Sequence, residues 1–114
     1  MALDRKAIEA ANKPHVEEVN VPEWGGSVYV RTLSGHEMAR FSAVVSNAKP
    51  KDVEQQFVRF AAMVLADENG KRLYSDDEIE KVGELEWRGL QRVVEAGQEL
   101  NGLSDVAVET EKGK

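Results

Sequence analysis

The sequence predicts an α+β fold: a predominantly helical single domain with an N-terminal antiparallel β-hairpin packed on three to five helices. Three observations predict it. Apolar residues alternate with polar ones on both sides of Gly25-Gly26, which is the period of half-buried strands. Two Ser-x-x-Glu capping boxes, at Ser34 and Ser75, then mark helix starts. The length of 114 residues suits one domain with one core and is short for two. We assign residues 1–103 to that domain and residues 104–114, polar and poorly patterned, to a flexible C-terminal tail.

In chain order, Asp4 to Asn12 reads as a short helix capped by Asp4, with Ala7, Ile8 and Ala11 on one face, and Pro14 ends it. His15–Val21 and Ser27–Leu33 read as two antiparallel strands, joined through Pro22-Glu23-Trp24-Gly25-Gly26, where glycine supplies positive φ. Ser34 to Glu37 opens the next helix, with Leu33 and Met38 at the staple positions and Met38, Phe41, Val44 and Val45 as its apolar stripe. A weaker box, Asp52-Val53-Glu54-Gln55, follows Pro50 and opens a helix with Val53, Phe57, Phe60, Ala61 and Val64 along one side. Asn69-Gly70 is a strong turn signal, and Leu73 is placed to pair briefly as a strand. The box Ser75 to Glu78, with Tyr74 and Ile79 as its staple pair, starts the last helical stretch. Gly83 divides that stretch into a short helix and a long one bearing Leu90, Val93, Val94 and Leu100. Gly89 and Gly97 suit close helix packing, and Asn101-Gly102-Leu103 reads as a glycine C-cap.

Composition narrows the function classes. Without cysteine there is no disulfide framework, thiolate zinc site or cysteine nucleophile, and the chain suits a reducing cytoplasm. The formal charge is −6, and the excess sits in the C-terminal half: thirteen acids and seven bases from Asp67 onward, against eight of each before it. Such a surface repels phosphate backbones, so nucleic-acid binding is not expected. The N-terminus lacks the long apolar run of a signal peptide or anchor, and Phe60–Ala66 is too short to span a bilayer. No membrane association is expected either.

The candidate chemical sites resolve into ordinary structure. His15 follows a proline and His36 lies in a helix's first turn, and neither belongs to a triad or metal motif. Asp67-Glu68-Asn69-Gly70 resembles a calcium loop only superficially: with Gly70 at the sixth position, Leu65 falls at the first ligand and Asp76 at the twelfth. Gly25-Gly26 lacks the Gly-x-x-x-x-Gly-Lys spacing of a phosphate loop. The acidic run Asp76, Asp77, Glu78, Glu80, Glu84 and Glu86 is a solvated face that complements helix N-termini, or a site for a cation or a basic partner. No catalytic group, cofactor or metal is expected. Trp24, at a hairpin tip with Gly25 and Gly26, is either an exposed interface anchor or folded back onto a helix, whereas Trp87 is expected to pack in the core.

The order Asp4-Arg5-Lys6-Ala7-Ile8, Val21-Pro22-Glu23-Trp24-Gly25-Gly26, Val28-Tyr29-Val30-Arg31 and Leu33-Ser34-Gly35 resembles the tail assembly chaperones of long, noncontractile-tailed phages and their prophages. Asp67-Glu68-Asn69-Gly70-Lys71-Arg72-Leu73-Tyr74 with Asp76, and the closing Leu100-Asn101-Gly102-Leu103, extend the resemblance across residues 4–103. It implies a non-enzymatic protein of the host bacterial cytoplasm. Such a protein binds the tape measure protein, keeps it soluble, helps recruit the major tail protein and leaves the finished tail. In many relatives a frameshifted extension contacts the tail tube protein, and coating one tape measure with several copies implies a homo-oligomer. On this reading the partner-binding residues are Trp24, Gly25, Gly26, Met38 and Phe41. Met38, Phe41, Phe57 and Phe60 either line an apolar groove for the partner or fill the core. The alternative is a small protein-binding scaffold or regulatory module of a mobile element.

Overall fold

The computed structural model describes residues 2–46 and 53–103, and the backbone alone at residues 44–46 and 53. Five α-helices and a three-stranded antiparallel sheet follow in the order α1 (Arg5–Ala11), β1 (Val16–Val21), β2 (Gly26–Arg31), α2 (Gly35–Ser46), α3 (Val53–Val64), β3 (Leu65–Ala66), α4 (Ile79–Gly83) and α5 (Trp87–Leu100). The expected tail, the Asp52 half of the weaker capping box and the side chains of Val44, Val45 and Val53 fall outside what is described.

Local signals account for the boundaries. The Asp4 carboxylate accepts a hydrogen bond from the Ala7 amide at 2.9 Å and starts α1. At Ser34 the reciprocal box is complete: the Glu37 amide donates to Ser34 Oγ at 3.1 Å, and the Ser34 amide donates to Glu37 Oε1 at 2.9 Å. At Ser75, Glu78 Oε1 accepts from the Ser75 amide at 3.0 Å, while the Glu78 amide bonds the Ser75 carbonyl and tightens the first turn to 3-10 geometry before α4 begins. Helix α5 ends in a Schellman motif: Leu103 N donates to Gln98 O at 2.7 Å, Gly102 N donates to Glu99 O at 3.1 Å, and Gly102 sits at φ +75°.

The sheet order is β1-β2-β3, with Val19 opposite Val28 and Val30 opposite Leu65. Beyond β3 the chain reverses over Asp67–Lys71, with the Asp67 carboxylate accepting from the amides of Asn69 (2.8 Å) and Lys71 (3.0 Å) and Gly70 at φ +84°. These bonds hold the Asp67 carboxyl below its ordinary value. Arg72 then bridges back to Ala66, and the Leu73 amide donates to Leu65 O at 3.1 Å. The brief pairing expected near Leu73 is therefore real, and its partner is a third strand hidden in an unbroken apolar run.

The core forms where α5 crosses the sheet and α3. Val30, Phe60, Val64, Leu65, Val82, Leu90 and Val93 are all buried within one cluster. Gly97 permits the α3–α5 approach, because a Cβ there would lie 3.0 Å from both Phe60 and Val64. Helix α1 contributes no buried residue to the core, and Leu3 and Ile8 are 64% and 55% exposed.

Two polar devices tie the sheet to the helices. Arg31, only 7% exposed, donates from Nη1 and Nη2 to the two carboxylate oxygens of Glu37 at 2.9 and 2.7 Å. Hydrogen bonding by Arg31, reinforced by the Ser34 amide against the opposing effect of burial, lowers the Glu37 pKa from 4.5 to about 2. The folded state thus binds this proton less readily than the unfolded chain, so the pair's contribution is complete above pH 4.5 and disappears as pH falls toward about 2. Glu37→Gln is expected to flatten the stability profile across that window and, by stranding a buried guanidinium, to cost about 3 kcal/mol at neutral pH. Urea denaturation at a series of pH values measures both effects.

Asn101 is the second device. Its Oδ1 accepts from the Leu33 amide at 2.8 Å, while Nδ2 donates to the carbonyls of Arg31 (3.2 Å) and Gly97 (2.8 Å). One side chain thereby joins the end of α5 to the exit of β2. Asn101→Ala removes three bonds at a partly buried junction and is expected to lower the unfolding free energy by about 2 kcal/mol, checked by denaturant titration at neutral pH.

Candidate functional site

The hairpin tip is built as a wedge. Pro22–Trp24 form one turn of 3-10 helix, and Gly25 closes it at φ +78°, with its amide donating to Pro22 O at 3.0 Å. Trp24 folds back onto α5, where its indole lies over Gly89. A Cβ at Gly89 would stand 2.3–2.6 Å from the ring. Glu23 and Arg92 pin the same junction at 2.7 Å, and that hydrogen bond holds the Glu23 carboxyl below its ordinary value. Of the two readings open for Trp24, the structure has the folded-back one. Gly25 and Gly26 remain exposed at the tip.

Trp87 corrects the expectation of a core residue, for it is 58% exposed. Spacing placed it one turn before Leu90, but it is the first residue of α5, where Glu86 caps the helix by accepting from the Gly89 amide at 2.9 Å. At that end the buried face of α5 is already held by Gly89 and Leu90. The Trp87 indole instead leans on Phe57 of α3, with ring centroids 5.0 Å apart and planes tilted by 37°.

Around this pair lies an open groove of about 460 Å³, lined by Phe57, Val58, Leu85, Trp87 and Leu90, with Gly83 at its edge and Glu54 on its rim. A smaller depression continues from it between α3 and α4, where Val58 and Ile79 are flanked by Glu54, Glu80 and Glu84. Neither hollow is lined by a basic residue among the described residues. The result is an apolar trough with an acidic border. The missed signal was available in the sequence: a tryptophan at the first helical position, beside a divider glycine and amid acids.

Met38 and Phe41 lie on α2, and both are partly buried. Phe41 packs on Phe60 at 5.1 Å and forms one wall of a second, mixed groove with Glu37, Arg40, Arg59, Met63, Arg72 and Asp76. Among the described residues no cluster of His, Asp and Glu is arranged to hold a metal ion. No helix there is long and apolar enough to cross a membrane.

The chain matches a family model described as phage tail assembly chaperone over residues 3–113. Among solved structures it is similar to the tail assembly chaperone of bacteriophage HK97. The two share 26% sequence identity with a TM-score of 0.61, over 80% of this chain and 92% of that one. No curated protein matches it.

Proposed function

The chain belongs to the phage tail assembly chaperone family, and from that premise we propose that it binds the tape measure protein through the Trp87–Phe57 groove, keeps it soluble and helps recruit major tail protein, then stays out of the finished tail. The exposed aromatic pair carries the reading. Tryptophan at 58% exposure in an apolar trough is costly to leave wet, and it anchors binding when a partner covers it. A tape measure protein is a long helical polymer whose apolar faces lack partners before the tube forms, so a trough that takes one helix face serves as a temporary substitute. The acidic border then keeps the complex soluble.

The residues expected from sequence take supporting places in this reading. Trp24, with Gly25 and Gly26 at its turn, props the first turn of α5 and so sets the position of Trp87. Phe41 and Met38 belong to the α2 side, where the charged groove offers a second surface for tail proteins.

Co-expression with the tape measure protein encoded by the same phage tests the function. The expected result is a tape measure protein that stays in the soluble fraction and co-purifies with this chain. A tape measure protein that precipitates equally with and without it would overturn the proposal.

A further inference from the structure

We propose that the groove between α2 and α3 binds an acidic segment of a protein partner, with Arg40 and Arg59 taking its carboxylates and Phe41 and Met63 receiving the apolar side chain beside them. The identity of that partner as a tail protein rests on the function proposed for the chain. The first observation is charge left over. The groove, of about 280 Å³, is lined by three arginines, Arg40, Arg59 and Arg72, and by two acids, Glu37 and Asp76. Both acids are already engaged. Glu37 accepts from Arg31 with both carboxylate oxygens, and Asp76 pairs with Arg72 at 3.1 Å. Among the described residues, neither Arg40 nor Arg59 has a hydrogen-bond or ion-pair partner. In a chain of net charge −6, this groove therefore presents two uncompensated positive charges.

Burial supplies the second argument. Arg59 is half-buried, and its Nε is closed off from solvent with no acceptor in the chain. Arg72 Nε is in the same condition, and so is Gln56 Nε2, one turn ahead of Arg59 on α3. All three atoms are donors. A buried donor left unpaired has given up its bond to water without replacement, and folded proteins keep few of them. Packing of its stem holds Arg59 in place, with no ion partner of its own. The group such a surface lacks is an acceptor that carries negative charge.

Two features select a peptide carboxylate over a phosphate. Phe41 and Met63 share the lining with the arginines, so the ligand that fills the groove carries an apolar part as well as a charge. Glu37 and Asp76 stand in the same lining and repel a phosphate dianion or a nucleic-acid backbone more than a single carboxylate. The matching geometry exists next door, where Arg31 holds Glu37 through two bonds of 2.9 and 2.7 Å. Arg40 and Arg59 offer the same planar fork to a carboxylate from outside.

The test titrates a short peptide of alternating Glu and Leu into isotope-labelled full-length protein while the arginine Nε–H resonances are followed. The Arg59 signal is expected to shift saturably, and an analogue with Gln for every Glu to bind at least about tenfold more weakly. Arg40 is exposed, so Arg40→Glu should melt like wild type while losing about tenfold or more in peptide affinity. Arg59→Met, which keeps an apolar stem and removes the fork, should lose at least as much. Trp87→Glu, at the other groove, should bind the peptide as wild type does. A peptide that leaves Arg59 unmoved, a Gln analogue that binds equally, or Arg40→Glu that binds like wild type would each overturn the proposal. So would inorganic phosphate or a single-stranded oligonucleotide that binds as tightly as the peptide, or an Arg59 signal that follows only the protein's own concentration. If the peptide binds as expected but the tape measure protein precipitates equally with and without the chain, the functional reading fails and the site remains.

Discussion

Gly89→Ala is expected to destabilise the fold by about 2 kcal/mol, although alanine is intrinsically the better helix former by about 1 kcal/mol. The added methyl would lie 2.3 Å from the Trp24 indole, so the ring must leave its seat or α5 must separate from the hairpin. Forced repacking of that kind costs about 3 kcal/mol, which outweighs the gain in propensity. Trp24→Ala alone should cost a similar amount by emptying the same seat. Their combination is the informative case: without the indole, the methyl added by Gly89→Ala loses its three closest contacts, all of them Trp24 atoms, and this second change should be neutral or slightly stabilising. Denaturation midpoints of the four proteins in the cycle check this. Additive losses would mean that Trp24 does not rest on Gly89.

The largest expected effect on binding belongs to Trp87→Glu. The substitution puts a fourth acid into the trough bordered by Glu54, Glu80 and Glu84 and removes the aromatic partner of Phe57. Loss of a central tryptophan anchor is worth about 2 kcal/mol or more, roughly thirtyfold in affinity for a tape measure helix. Stability should change by less than about 1 kcal/mol, since the indole is largely in water and forfeits only one ring pair. Circular dichroism and a melting curve establish that the variant is folded.

What the sequence made legible is what short-range chemistry determines. The Asp4 cap and the box at Ser34 depend on residues three apart, and both appear in the structure. The Gly102 C-cap and the Gly83 divider are equally local. The hairpin followed from alternation around Gly25-Gly26, whereas its register, with Val21 opposite Gly26 and Val16 opposite Arg31, is set by the turn and was not read from the sequence. Strand β3 was hidden because Leu65 and Ala66 continue the apolar run of α3, and burial on all sides erases the difference between periods. Arg31 lies on the polar phase of β2 yet is buried, because Glu37 at the start of α2 covers it. No window along the chain contains that fact.

The two tryptophans are the clearest lesson about the site. Periodicity assigned Trp87 to the apolar stripe of α5, but a stripe says nothing about how far the rest of the fold extends along the helix. Trp87 is the first residue of α5, ahead of the buried Gly89 and Leu90, and it meets Phe57 and solvent. Trp24 is drawn inward by an absence, the missing side chain of Gly89, sixty-five positions away in the chain. The glycine was legible as a packing device; its partner was not. Family membership was legible from ordered short motifs, and the match across residues 3–113 bears it out.

The most direct test of tape measure recognition by the groove is a titration of immobilised tape measure protein, captured from co-expression, with wild-type chain and with folded Trp87→Glu. Wild type is predicted to bind saturably, and Trp87→Glu to be retained at least about thirtyfold more weakly. Equal retention of the two proteins, with both shown to be folded, would contradict this and remove the Trp87–Phe57 groove as the site of tape measure recognition.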